Sequence, residues 1–262
     1  MVDSAAFDGP WRSSVRAVEP RHEAGEQGCE VRGAPESVLG VDFRHGQRTI
    51  FRQGLRTAEV IVSFISRGFR GRREAAASGD RLPPGQYATR DFPVLSAGAT
   101  PRINLDEWRF EVVGQVERPR AWTWAEFAAL PADDVTVDIH CVTKWSKLDT
   151  RWRGVPVDVL LDGLATSARF VMAHSYGGYT TNLPLEDLTA GKAWIAYEYD
   201  GRPLEPEHGG PARLLVPHLY FWKSAKWVNA LELRETNAPG FWEGYGYHDY
   251  GDPWREQRYS GD

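Results

Sequence analysis

Residues 135–156 read VTVDIHCVTKWSKLDTRWRGVP, from Val135 to Pro156, and this stretch decides the fold class. Val135, Val137, Ile139 and Cys141 alternate with Thr136, Asp138, His140 and Val142. A period of two puts the first set on one face of a β-strand and the second on the other. Cys141 therefore belongs to the buried face, at the point where the apolar strand gives way to Thr143, Lys144, Trp145, Ser146, Lys147, Asp149, Arg151 and Arg153. A thiol at a strand end beside cations suits a soft metal or an anion. The plainer reading makes Cys141 a small core residue, because unpaired cysteine is among the most buried residue types.

Around this stretch, composition narrows the class. A chain of 262 residues that is 42% hydrophobic can bury a substantial core. Its net charge of −5 argues against general nucleic-acid binding, which shows a basic surplus. Eleven Trp and ten Tyr against two Met favour β-rich structure with aromatic-lined pockets. Cys29 and Cys141 are too few and too far apart for a disulfide framework, which points to a reducing compartment. The apolar run Val60 to Ile65 is too short to span a membrane. The twin arginine Arg72-Arg73 is followed by Glu-Ala-Ala-Ala-Ser-Gly rather than an apolar segment. The expectation is a cytoplasmic protein. Residues 1–81 are expected to form a poorly ordered extension and basic linker, and residues 82–262 the folded domain.

Within that domain, Leu82 to Leu95 holds three prolines and a glycine and reads as extended and stiff. Trp108, Phe110 and Val112 predict a strand, and Thr123-Trp-Ala-Glu126 a capping box opening a helix to Leu130. Val155-Pro156 predicts a helix that buries Val159, Leu160 and Leu164. Phe170, Met172 and His174 share one side of a further strand, and Pro184 opens another short helix. Trp194 to Tyr199 reads as a strand with Asp200-Gly201 as a hairpin turn. Ala212 to Val216 and Trp227 to Leu233 complete the set. The stretch from Asn237 onward has no clear period, yet its Trp242, Tyr245, Tyr247, Tyr250, Trp254 and Tyr259 predict that it packs on the domain. About seven strands and three short helices in irregular order give an α+β fold with a mainly β, mixed-sheet core. No P-loop, GxGxxG, HExxH or paired CxxC occurs.

Four clusters place cations and donors beside aromatics. They are Arg90-Asp91-Phe92, Cys141 with Lys144 and Lys147, His208-Gly-Gly-Pro-Ala-Arg213, and Lys223-Ser-Ala-Lys226-Trp227. Gly209 and Gly210 allow close backbone approach, while Arg213 and Lys226 suit a phosphate as a planar fork and a point charge. One thiol with several phosphate donors fits a phosphate-bearing cofactor that carries a metal needing a thiolate.

These residues resemble the sulfite oxidase family of molybdenum–molybdopterin enzymes, in its short form without haem. The resemblance runs from about Leu82 to Tyr250 and is carried by TRDFPVL, DIHCVTKWSKLDTRWRGVPV and EHGGPARLLVPHLYFWKSAKWV, in that order. It implies that Cys141 ligates molybdenum beside the pterin dithiolene. It implies further that Arg90, Asp91 and Phe92 line the cofactor, with Arg90 also holding an anionic substrate. His174, His208, Arg213, Ser224, Ala225 and Lys226 are implied as cofactor contacts, and Tyr247 as a catalytic residue near the metal, with Tyr245 the alternative if the register slips. His174 equally suits a core histidine, and Tyr247 a packing ring.

The sequence departs from the longer family members, which continue into a β-sandwich dimerisation domain or carry a haem domain. The expected cofactor is molybdenum–molybdopterin without haem, with electrons passing to a separate partner. The expected activity is oxygen-atom transfer to or from a small sulfur or nitrogen oxyanion or a sulfoxide. A non-catalytic molybdopterin- or phosphate-binding module is the alternative, and it leaves Cys141 unused.

Overall fold

The computed structural model describes residues 79–262. The extension, Cys29 and most of the expected linker lie outside the described residues. Gly79–Arg81 forms a 3-10 turn, and Arg81 forks across Asp138 and Asp149 at 2.6 and 2.7 Å, so the linker's last residue is tied to the domain.

Eleven strands are described: β1 (Tyr87–Ala88), β2 (Arg109–Gly114), β3 (Arg120–Thr123), β4 (Asp133–His140), β5 (Trp145–Pro156), β6 (Phe170–Ser175), β7 (Thr180–Pro184), β8 (Trp194–Tyr199), β9 (Arg202–Pro203), β10 (Arg213–Leu215) and β11 (Val228–Arg234). Three short α-helices accompany them: α1 (Trp124–Ala128), α2 (Val157–Leu161) and α3 (Phe241–Gly244). One sheet runs β1-β5-β8-β10, with β4 added to β5 and β9 to β8; the other runs β3-β2-β11-β6-β7. The β1–β5 and β2–β11 pairs are parallel and the rest antiparallel. The fold is α+β with a mainly β core, as the alternation predicts.

Local signals hold where they are strong. Thr123 caps α1 in a complete capping box, although the helix stops at Ala128 rather than Leu130. Asp200 (φ 51°) and Gly201 (φ 72°) turn β8 into β9, both left-handed as a two-residue hairpin requires. The departure comes after Cys141. The polar run 145–156 is a twelve-residue strand, and the helix begins only at Val157. Its cations face outward: Arg151 pairs with Asp200 at 3.0 Å and Arg153 with Asp134 at 2.8 Å. Pairing with β4 and β8 on both sides overrides a composition that reads as loop, because strand preference is decided by neighbours more than by the chain itself.

The main core joins residues of both sheets, including Trp108, Phe110, Phe127, Val155, Leu160, Val171, Ile195, Leu214, Val228 and Leu231. A second apolar cluster, Ile139, Trp145, Trp152, Trp194, Leu204 and Leu215, lies around Cys141. The C-terminal stretch packs back as its rings predict: Tyr220, Trp222 and Tyr247 form a third cluster with Val142 and Trp242 against it. Burial of rings of this size is the principal stabilising contribution available to such a segment.

Candidate active site

Cys141 is the first residue after β4, not its last. Its N–H donates to Trp145 O and its carbonyl accepts from the Lys144 N–H, both at 2.9 Å, so residues 142–144 close the β4–β5 hairpin. Lys144 takes φ 77°, a left-handed position where a side chain is strained and glycine is not. The Gln86 side-chain amide donates to Cys141 O at 3.1 Å. Gln86 is placed by β1, which runs parallel to Trp145–Ser146. The extended segment 82–95 is thereby pinned beside the cysteine. The His140 ring bonds Ser146 Oγ at 2.8 Å on the same hairpin.

Cys141 lines a cavity of about 260 Å³. Phe92, Arg213, Ser224, Ala225, Lys226 and Tyr247 line it too. Seven of the expected residues, from five separate stretches, thus converge on one space. Burial pushes the Cys141 thiol up; the Thr143 hydroxyl, donating to Sγ at 3.2 Å, and the Lys226 charge oppose this. Arg213 lies fully buried over the Phe221 ring at 4.0 Å and donates to His208 O and Ser224 O at 2.7 Å each. Burial lowers its pKa to about 9. Burial, then the Arg213 charge, lowers Lys226 to about 7. Among the described residues neither cation is in an ion pair. Glu207 is the carboxylate whose charge reaches Lys226, and two partly desolvated cations that share a site in no ion pair are costly unless an anion joins them.

The turn that makes this arrangement possible is Gly209, at φ 110°, where a Cβ would stand 3.0 Å from Lys226 and 3.1 Å from Arg213. A side chain there would press on the backbone end of both residues and sit at a strained φ. His208 is one step behind the cavity: its ring stacks on Phe92 at 3.9 Å, burial holds its pKa down at about 4, and its Nδ1 is buried without a partner. Trp145 Nε1 is likewise an orphaned buried donor, and Trp145 lines the cavity. A buried sulfur, two neighbouring cations in no ion pair and an unused indole N–H are what an anionic, metal-bearing, phosphate-carrying cofactor would satisfy. The residues fit molybdopterin.

The structure does not bring every expected residue to this cavity. His174 lies on β6 with Nε2 2.9 Å from Glu232. Val171 and Ala173 are in the core, so the period of two turns His174 to the other side, where Glu232 on the neighbouring strand takes it. Arg90 is exposed, its carbonyl accepting from Lys147 Nζ, and neither Arg90 nor Asp91 lines the cavity. Ser224 Oγ accepts from the Val216 N–H at 2.9 Å, holding the loop as well as facing the cavity. Tyr247 is buried between Trp222 and Trp242 and lines the cavity, while Tyr245 is 66% exposed and does not. Lys223, counted among the cations, is buried on Glu243 at 2.6 Å instead.

Other lining residues carried weaker signals: Thr143, Trp222, Phe241, Trp242 and the Tyr176–Tyr179 turn. The Gly177-Gly178 pair between two tyrosines is a hairpin mark that sequence reading can find. Tyr179 Oη donates to Trp222 O at 2.7 Å, anchoring that turn to the C-terminal cluster.

The family model described as "Oxidoreductase molybdopterin binding domain" matches residues 97–242. The chain belongs to this family. Bacillus subtilis (strain 168) has a relative, named as uncharacterized oxidoreductase YuiH, that is 44% identical over 193 residues, 72% of this chain and 97% of that one. A putative protein-methionine-sulfoxide reductase subunit, YedZ1 of Azospira oryzae, is 29% identical over 64% of this chain and 66% of its own length. The protein-methionine-sulfoxide reductase catalytic subunit MsrP of Campylobacter jejuni is 22% identical over 57% and 56%. The chain spans about two thirds and just over half of those last two relatives. The crystal structure of the sulfane dehydrogenase SoxCD from Paracoccus pantotrophus matches with a TM-score of 0.49 at 18% identity, over 76% of this chain and 57% of that one. This family member is a molybdopterin-binding oxidoreductase. No helix among its described residues is long and apolar enough to cross a membrane.

Proposed function

We propose that the chain transfers an oxygen atom at a molybdenum–molybdopterin centre held by Cys141, with a small sulfoxide or sulfur oxyanion as the substrate. The observation that carries this is the buried Cys141 sulfur sharing one cavity with the buried Arg213 and the half-buried Lys226, neither of which is in an ion pair among the described residues. Bound molybdopterin would supply the two-electron redox chemistry and the oxygen acceptor or donor. The chain's residues would do the rest. Cys141 would hold the metal as a thiolate. Arg213 and Lys226 would neutralise the phosphate, with Ser224 and Ala225 shaping the loop around it. Phe92, kept in place by the His208 ring, would pack against the pterin. Burial keeps the Tyr247 hydroxyl protonated far above neutral pH, so it would serve as a hydrogen-bond donor to the oxygen that moves.

The lining around Tyr247 is largely apolar: Val142 and Trp242 pack against its cluster, and Phe241 lines the same cavity. An organic sulfoxide suits such a wall better than an inorganic oxyanion, which favours the sulfoxide. The methionine-sulfoxide reductase names of two relatives agree with that choice. Electrons would come from a separate partner. The test is elemental analysis of wild-type protein and Cys141→Ala from a host that makes molybdopterin, followed by turnover with methionine sulfoxide and with sulfite. About one molybdenum per wild-type chain, lost in the variant, with faster turnover of the sulfoxide, is expected. Metal-free wild-type protein from such a host would overturn the proposal.

A further inference from the structure

We infer that the Val142–Lys144 turn is built to set how strongly the Cys141 sulfur donates electrons to a bound metal, with Thr143 as the adjustable positioning residue. The inference rests on the reading that Cys141 is the metal's protein ligand. The Thr143 hydroxyl donates to the Cys141 sulfur at 3.2 Å, across two residues of a closed turn. A neutral buried thiol is a poor acceptor and gains little from such a donor. A metal-bound thiolate gains more, because each hydrogen bond draws charge from the sulfur and favours the more electron-rich state of the centre.

The turn is also held more tightly than a hairpin loop requires. The Cys141 carbonyl is fixed by both the Lys144 N–H and the Gln86 amide, and the Cys141 N–H by Trp145 O. Lys144 closes the loop from a left-handed backbone position that its side chain disfavours. With the backbone fixed on both sides, the Thr143 hydroxyl is the contact to the sulfur that substitution can change. Thr143 lines the cavity together with Cys141, so its contact with the sulfur lies at the wall of the space a ligand would fill. A hydroxyl there lowers electron donation by the sulfur; a methyl group of the same shape would restore it.

The experiment compares wild type, Thr143→Val and Thr143→Ser, each loaded in a molybdopterin-competent host. Molybdenum content is measured first, and the reduction potential of the metal is then titrated by its EPR signal. Thr143→Val should keep the metal and shift the potential downward by about a tenfold change in the one-electron equilibrium constant, ~59 mV. Thr143→Ser, which keeps the donor, should stay near wild type. An unchanged potential in a fully loaded Thr143→Val protein overturns the inference, as does an equal shift in Thr143→Ser. Loss of the metal from Thr143→Val alone also overturns it, since the hydroxyl would then act on retention rather than tuning. Absence of molybdenum from all three proteins removes the ligand reading itself, and shows in the metal content before any potential is measured.

Discussion

Glu243→Ala is the perturbation that best tests how the C-terminal stretch is joined to the cavity. Glu243 Oε1 accepts from Lys223 Nζ at 2.6 Å, Trp222 Nε1 at 2.9 Å and Thr181 Oγ1 at 3.2 Å. The Lys223 and Glu243 side chains are 1% and 2% exposed. Truncation strands a buried ammonium, an indole N–H and a hydroxyl together. Removing one partner of a buried ion pair costs about 3–5 kcal/mol. Lys223 keeps Asn182 O, Asn182 Oδ1 and Asp249 O as acceptors at 2.9, 3.0 and 2.6 Å, so the lower end, about 3 kcal/mol, is expected. That is a large part of a typical domain's stability of roughly 5–15 kcal/mol. Denaturant unfolding of metal-free protein measures it, with Glu243→Gln retaining one acceptor and losing less. The double variant Lys223→Met, Glu243→Leu should cost less than Glu243→Ala alone, since no buried charge is left unpaired. A Glu243→Ala protein within about 1 kcal/mol of wild type would refute the reasoning, because buried donors left without an acceptor cost about that much each. So would a double variant as unstable as the single one. The cavity shares the loss: Trp242 precedes Glu243, Tyr247 lies in the turn that follows α3, and both face the cavity, so the variant should also raise KM for any substrate.

Two further outcomes follow from buried titratable groups. Lys226→Met should act in opposite directions on the empty and loaded protein. Without cofactor it removes a desolvated cation and stabilises the fold; with cofactor it loses a charge-assisted bond of about 1.5–3 kcal/mol, roughly ten- to a hundredfold in affinity. Because Lys226 titrates at about 7 when folded against an ordinary 10.5, its contribution makes wild-type stability rise with pH between those values, and thermal melts of the Met variant should lack that rise. His140 is held down at about 4 by burial, below its ordinary 6.5. Between those values the unfolded chain binds a proton that the folded chain refuses, so stability falls as pH drops through that window and no further below it. His140→Gln should flatten that acid limb of the metal-free protein by at most about 3 kcal/mol, at about 1.36 kcal/mol per pH unit.

Much of the fold was legible along the chain, and the reasons are local. Alternation from Val135 to Ile139, the Thr123–Glu126 capping box and the Asp200-Gly201 turn each depend on residues within a few positions of one another. Strand β5 was not legible, because its polar run shows no apolar period and its strand state comes from β4 and β8 flanking it, with Arg151 and Arg153 sent to surface ion pairs. For the site, the chain by itself marked the thiol and the cation clusters, since residue type and spacing along the backbone set their chemistry. Which of them meet depends on neighbours far away in sequence. Only the tertiary structure turned His174 toward Glu232, stacked His208 on Phe92, buried Tyr247 while leaving Tyr245 exposed, and gave Lys223 to Glu243. In each case strand pairing and ring packing decide the direction of the side chain, and those forces act between segments that no local pattern connects.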